Sequence, residues 1–141
     1  MADPVCPESG HPMNRGIRPV TLSYKGLSAN IEMPGWYCKH CGESIHSGKD
    51  MAVSDKALNR LKAEAEGLLL PKTVRRIRKR LKLTQKEAGR IIGGGPNAFQ
   101  KYETGEILVS KAITSALILL DKNPEDLEVL KSRAIDHHAA V

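Results

Sequence analysis

Residues 83–105 of this 141-residue chain read LTQKEAGRIIGGGPNAFQKYETG. Thr84 and Glu87 have the spacing of a capping box, so a helix is predicted to begin there and to run to about Ile92. The three glycines that follow end this helix, because glycine accepts backbone angles that other residues adopt only at a cost. Pro96 is tolerated in a first helical turn, and a second short helix is predicted from Pro96 and Asn97 onward. Two short helices joined by a tight glycine turn are typical of a helix-turn-helix.

Helical periodicity continues on both sides of this segment. Val74, Ile77 and Leu81 form one apolar stripe and predict a helix before it. A helix capped by Ser110 and another opened by Asn123 are predicted after it. Residues 68–141 are therefore predicted to form an all-α domain of five helices.

Residues 1–67 are predicted to form a separate domain. Its residues 1–47 differ in composition from the helical part, since they are rich in Gly, Pro and Ser and contain all three cysteines. Apolar residues alternate with polar ones over 20–24 and 27–33, on either side of a Lys25-Gly26 turn, which predicts a β-hairpin ending at Pro34-Gly35. A helix is predicted over residues 54–61. The predicted fold class is α+β, with a small N-terminal β-hairpin domain, which we expect to bind zinc, followed by the five-helix domain.

The positive charge of the chain is concentrated in one segment. Between Lys72 and Lys101 ten residues are basic and one is acidic, so this segment carries +9, whereas the rest of the chain carries −3 and the total is +6. A local field of this strength suits a polyanion such as DNA. No apolar run approaches the roughly 20 residues that span a bilayer, and the N-terminus lacks the features of a secretion signal, so we expect a cytoplasmic protein with no membrane partner.

The start of the second short helix carries side chains suited to bases. Asn97 can donate to and accept from adenine, and Lys101 can donate to guanine. Gln100 is either a third base contact or merely exposed. The candidate phosphate contacts are Thr84, Gln85 and Lys86 at the start of the first short helix, Arg78 in the basic helix before it, and Gly95 in the turn.

The strings Leu-Thr-Gln-Lys-Glu-Ala at 83–88 and Gly-Gly-Gly-x-Asn-Ala-Phe-x-Lys-Tyr-Glu-x-Gly at 93–105 resemble Cro/repressor-type helix-turn-helix proteins and, more narrowly, the MqsA (YgiT) antitoxins. The resemblance implies an N-terminal zinc domain and a C-terminal domain that dimerises on a palindromic operator. It also implies a cognate toxin that cleaves mRNA and is bound chiefly by the zinc domain. The family's base-contacting residues map onto Asn97 and Lys101. Family members often have arginine at the second position, and lysine lacks its bidentate fork, so a different operator is expected.

The cysteines predict a zinc site, because cytosolic thiols stay reduced and Cys38-x-x-Cys41 followed by glycine is typical of a zinc knuckle. Tetrahedral zinc usually takes two such turns. The other turn contains Cys6 but has Ser9 where the family pattern has its second cysteine, and serine is a poor zinc ligand. The predicted ligands are therefore Cys6, His11, Cys38 and Cys41, with His40 and His46 as less favoured donors.

Other interpretations of the cysteine site stay open. A redox Cys-x-x-Cys would require a βαβ setting that the hairpin pattern does not offer. A catalytic zinc with water in the place of Ser9 would require an acid–base pair that we do not find, and the site could also be vestigial. We expect a non-enzymatic regulator. The alternatives are a free-standing zinc-containing helix-turn-helix regulator, a zinc enzyme targeted to nucleic acid, and an adaptor for an acidic protein.

Residues 112–120 are apolar around more of the helix than one core requires. Either a second copy of the chain covers part of this surface, as in a homodimer, or the helix is deeply buried within a single bundle.

Overall fold

A computed structural model of the chain describes residues 3–139, with side chains described as far as residue 134. The chain divides into two compact units, Met1–Leu61 and Lys62–Val141. In the described residues a three-stranded antiparallel sheet precedes six α-helices, which confirms the predicted α+β class. No described helix combines the length and the apolar character that crossing a membrane would require.

The sheet is built on the predicted hairpin. Strands β1 (Asn14–Tyr24) and β2 (Leu27–Tyr37) pair in antiparallel register, and the short β3 (Ser44–Ile45) pairs with the end of β2. Lys25 and Gly26 have φ angles of 45° and 83°, as a two-residue type I′ turn requires.

Strand β2 extends beyond the predicted end at Pro34-Gly35. The fixed φ of proline is compatible with an extended strand, and only its missing N–H is lost to the ladder. The Pro34 carbonyl oxygen lies 2.8 Å from Nδ1 of His46, which donates because a carbonyl only accepts. Gly35 lets this ring approach, since a Cβ at Gly35 would lie 2.5 Å from the same nitrogen.

Helix α1 (Gly48–Glu66) begins earlier than predicted because Ser47, just before it, and Asp50, in its first turn, cap it. The Ser47 amide donates to Asp50 at 2.8 Å, and the Asp50 amide donates to the Ser47 hydroxyl at 3.2 Å. Asp50 is buried and forms an ion pair with Arg15 of β1. The guanidinium holds the pKa of the Asp50 carboxyl well below its usual range. This ion pair joins the start of α1 to the sheet.

The second unit contains the five predicted helices, and both predicted caps are confirmed. The Thr84 hydroxyl accepts from the Glu87 amide at 3.1 Å, and the Thr84 amide donates to Glu87 at 3.0 Å. The Ser110 hydroxyl accepts from the Ile113 amide at 3.1 Å. The helices are α2 (Pro71–Arg80), α3 (Gln85–Ile91), α4 (Ala98–Thr104), α5 (Lys111–Lys122) and α6 (Leu127–Ala139), with a 3-10 turn (Pro124–Asp126) before α6.

The core of this unit includes the apolar stripe that was predicted for its first helix. Val74 and Ile77 of α2 are buried against Phe99 and Tyr102 of α4 and Leu117 of α5. Phe99 is fully buried, so α4 is anchored along one side and presents its other side to solvent.

Candidate metal centre and nucleic-acid interface

The three cysteines lie close together in the first unit. The Sγ atoms of Cys6, Cys38 and Cys41 all lie within 4.8 Å of one another, and those of Cys6 and Cys41 are 3.3 Å apart. With Zn–S bonds of about 2.3 Å, the edge of a thiolate tetrahedron is about 3.8 Å, so these separations suit a metal ion of that size. Thiolates favour soft ions, and the donor set is compatible with zinc.

The three thiols lie on two matching loops, residues 6–11 and 38–43. In each loop the amide of the fifth residue donates to the carbonyl of the first, at 2.9 Å for Gly10 and 3.2 Å for Gly42. The amide of the first residue donates to the carbonyl of the sixth, at 2.8 Å and 2.9 Å. The two glycines have φ angles of 74° and 77°. The loops therefore share one backbone hydrogen-bond pattern, and Ser9 stands in the first where Cys41 stands in the second.

The Ser9 hydroxyl lies against the thiol cluster. Its hydroxyl oxygen lies 3.2 Å from Cys38 Sγ and accepts from the His11 amide at 3.3 Å. The Ser9 hydroxyl, followed by the amides of His40 and Cys41, lowers the pKa of Cys38 to about 6 against the opposing effect of burial. Cys38 is thus a thiolate near neutral pH, the form that binds metal.

The structure does not bring His11 into the thiol cluster. Its imidazole stacks on that of His40, with ring centroids 3.7 Å apart and planes inclined by 24°. His46 also lies outside the cluster, because its second ring nitrogen is 3.0 Å from the Ser44 hydroxyl. Of the described residues, only Cys6, Cys38 and Cys41 form a group with metal-ligand spacing.

Helix α4 presents the predicted base contacts to solvent. Asn97 is its N-cap residue, makes no capping hydrogen bond with its side chain and is exposed. Gln100 and Lys101 are exposed one turn further on. Phe99 and Tyr102, on the other side, are buried.

The predicted phosphate contacts have different surroundings. Lys86 is exposed and Gln85 half-buried at the start of α3, where Thr84 caps the helix. Arg78 instead forms an ion pair with Glu103 inside the unit. The Gly95 amide donates to the Gly89 carbonyl at 3.1 Å, so it is engaged within the turn.

Gly89 was not singled out in the sequence, although it decides how the turn packs. A Cβ at this position would lie 1.8 Å from the Gly95 carbonyl oxygen. The glycine turn therefore lies directly against the backbone of α3. The signal in the sequence was a glycine inside a helical pattern, which costs helix stability and often has a packing reason.

Much of the positive charge is available at the surface. Arg76 and Arg80 pair with Asp121, and Arg78 pairs with Glu103. The other seven basic residues of the 72–101 segment are exposed and form no ion pair with any described residue: Lys72, Arg75, Lys79, Lys82, Lys86, Arg90 and Lys101. A strong positive field therefore remains around α2, α3 and α4.

Comparison with known proteins identifies the family of this chain. Residues 1–131 match the family model described as the antitoxin component of the bacterial toxin-antitoxin system, MqsA. The chain is also 35% identical over 136 residues to the antitoxin MqsA of Escherichia coli (strain K12), an alignment that covers 93% of this chain and all of that protein. The chain therefore belongs to the MqsA family of antitoxins, components of bacterial toxin–antitoxin systems.

Proposed function

We propose that this antitoxin is a non-catalytic, cytoplasmic repressor of its own operon. In this proposal the second unit, as a helix-turn-helix dimer, binds a palindromic operator, and the first unit, with zinc bound by Cys6, Cys38 and Cys41, binds and neutralises a toxin that cleaves mRNA. The observation that carries the DNA-binding part is α4, where exposed Asn97 and Lys101 flank a fully buried Phe99. The family membership carries the toxin part.

Asn97 and Lys101 are four residues apart, so they share one side of α4. The Asn97 amide can form two hydrogen bonds with one adenine, and the Lys101 ammonium can donate to guanine. Gln100 is the third candidate on this surface. Lys86, with Gln85 and Thr84, lies at the start of α3, which packs against α4, and is proposed to contact phosphate.

Dimerisation is supported by apolar side chains at the surface of the second unit. Leu119 is 62% exposed and Ile118 50% exposed on α5. A second copy that covers them would place two α4 helices on one duplex, and neighbouring half-sites are about 34–36 Å apart. Leu119→Glu is expected to give monomers in sedimentation, whereas Ile107→Glu, which changes an exposed isoleucine outside α5, is expected to leave dimers intact.

We propose an apolar face of the hairpin as the partner surface of the first unit. Val20 pairs with Ile31, Leu22 with Ala29, and Tyr24 with Leu27 across the hairpin. Since pairs two residues apart share a face, all six side chains lie on one side of the ribbon. Val20 and Leu27 are 37% and 38% exposed. This apolar face is our candidate for the toxin contact, and Val20→Lys is expected to weaken toxin binding while DNA binding is retained.

The DNA proposal is tested by selection from random duplexes at two salt concentrations, followed by affinity measurements. Asn97→Ala should lose about 1–3 kcal/mol of discrimination between the selected and random duplexes while its salt dependence is unchanged. The control Lys86→Ala, which removes a proposed phosphate contact, should weaken binding to all sequences alike and lower the salt slope by about one. Equal weakening of all sequences by Asn97→Ala, or no duplex binding at low salt, would contradict the proposal.

A further inference from the structure

We propose that the metal centre of the first unit has an open fourth coordination position. Three cysteine thiolates bind the ion, and a water molecule, which small solutes can replace, occupies the position beside Ser9. This inference rests on the proposed zinc site, and its test separates failure of the open position from failure of metal binding itself.

The matching loops identify Ser9 as the position of a fourth protein ligand. In the first loop the His11 amide also donates to the Ser9 oxygen at 3.3 Å, and that oxygen lies 3.2 Å from Cys38 Sγ. The side chain at residue 9 therefore faces the thiol cluster from the position that Cys41 has in the second loop.

The Ser9 hydroxyl does not replace the missing thiolate. A neutral hydroxyl is a hard, weak donor, whereas the ion is chosen by soft thiolates. The side chain is also shorter than cysteine, and its oxygen is already 3.2 Å from Cys38 Sγ. Ser9 is placed to hydrogen-bond with Cys38 and with a ligand in the fourth position.

The histidines nearby are engaged elsewhere. His11 and His40 stack on each other at 3.7 Å, and either would have to leave this stack to reach the thiols. Both ring nitrogens of His46 have partners in the sheet, namely the Pro34 carbonyl at 2.8 Å and the Ser44 hydroxyl at 3.0 Å. Cys41 is exposed, so solvent reaches the side of the cluster that it occupies.

An open position has measurable consequences. A three-thiolate site with an exchangeable ligand accepts small donors and releases its ion to chelators faster than a closed site with four protein ligands. Ser9→Cys supplies the fourth thiolate on a backbone that already has the required hydrogen bonds, and Ser9→Ala removes only the hydroxyl.

The experiment uses the full-length chain loaded with Co²⁺, whose visible spectrum reports its ligands. Imidazole is titrated into the wild type, Ser9→Ala and Ser9→Cys. We expect a saturable spectral change in the first two proteins and none in Ser9→Cys. We also expect Ser9→Cys to retain the ion at least about tenfold better against a competing chelator.

Three results would overturn the inference. If imidazole leaves the wild-type spectrum unchanged but changes the spectrum of His11→Ala, the site is closed by three cysteines and one histidine. Loss of Co²⁺ binding in Ser9→Ala, with the helical unit still folded by circular dichroism, would make Ser9 itself a ligand. Failure of both the wild type and Ser9→Cys to bind Co²⁺ would remove the proposed metal site as well.

Discussion

Arg78 of α2 and Glu103 of α4 form a two-point ion pair that joins the basic helix to the helix carrying Asn97. Nε donates to Oε2 at 2.7 Å and Nη2 donates to Oε1 at 2.9 Å. The third donor, Nη1, reaches the Leu83 carbonyl at 2.9 Å, just before α3. Because Arg78 touches all three regions, it acts as a positioning residue for α4 and is not free to bind phosphate through these groups.

Removing one partner of this pair should cost far more than removing an exposed pair. Glu103→Ala leaves a guanidinium that is only 12% exposed without its carboxylate, and we expect a loss of about 3 kcal/mol in the free energy of unfolding. Arg76→Ala breaks a pair in which the arginine is 57% exposed, and should cost less than about 1 kcal/mol. Urea unfolding followed by helical circular dichroism measures both, and equal losses would contradict this assignment.

Gly89→Ala should distort the glycine turn. The added Cβ would lie 1.8 Å from a backbone oxygen, which cannot move aside as a flexible side chain can. We expect a loss of about 1–3 kcal/mol in the free energy of unfolding together with weaker binding to the proposed operator. Arg90→Ala changes the adjacent exposed residue and should alter stability by less than about 0.5 kcal/mol. A Gly89→Ala protein as stable as the wild type would show that the turn can shift freely.

Glu87 should make the start of α3 sensitive to acid. The Thr84 amide and then the Thr84 hydroxyl lower the pKa of the Glu87 carboxyl below its usual value. A carboxyl with a lowered pKa in the folded state contributes stability above its unfolded pKa, and this contribution is lost as pH falls through the folded value. The wild type should therefore melt higher than Glu87→Gln at neutral pH, and the difference should shrink below about pH 4. A pH-independent difference would rule out an ionised cap.

Metal removal should loosen the cysteine loops first. The buried cluster there consists only of Cys6, Met13 and Cys38, with Trp36 packed against it, which is too small to hold the loops without the ion. After chelation, the amides of Cys38 and Gly42 should exchange hydrogen faster in the full-length chain. The Ala88 and Ile92 amides, in the larger helical core, serve as internal references. Unchanged protection of the loop amides would mean that the metal is not part of their stability.

Much of the fold could be predicted because it depends on contacts between near neighbours. The capping box joins residues three apart, and the hairpin turn consists of two residues whose φ angles are both positive. The contacts made beside the end of β2 and the start of α1 were less predictable. His46 lies against Pro34, 12 positions away, and Asp50 pairs with Arg15, 35 positions away.

The cysteine site likewise combines local features that the sequence predicts with long-range contacts that it does not. The sequence by itself determined that the three cysteines lie on two similar turns with Ser9 in the place of a fourth, because knuckle geometry is local. Its predicted fourth ligand, His11, is not brought into the thiol cluster. The sequence also placed Asn97, Gln100 and Lys101 at the start of the second short helix, and all three are exposed. Only the tertiary structure decided that Ser9 faces Cys38, that His11 stacks on His40, and that Arg78 pairs with Glu103, 25 residues away. These partners come from different loops and helices, and which side chains meet depends on packing that spacing along the chain does not encode.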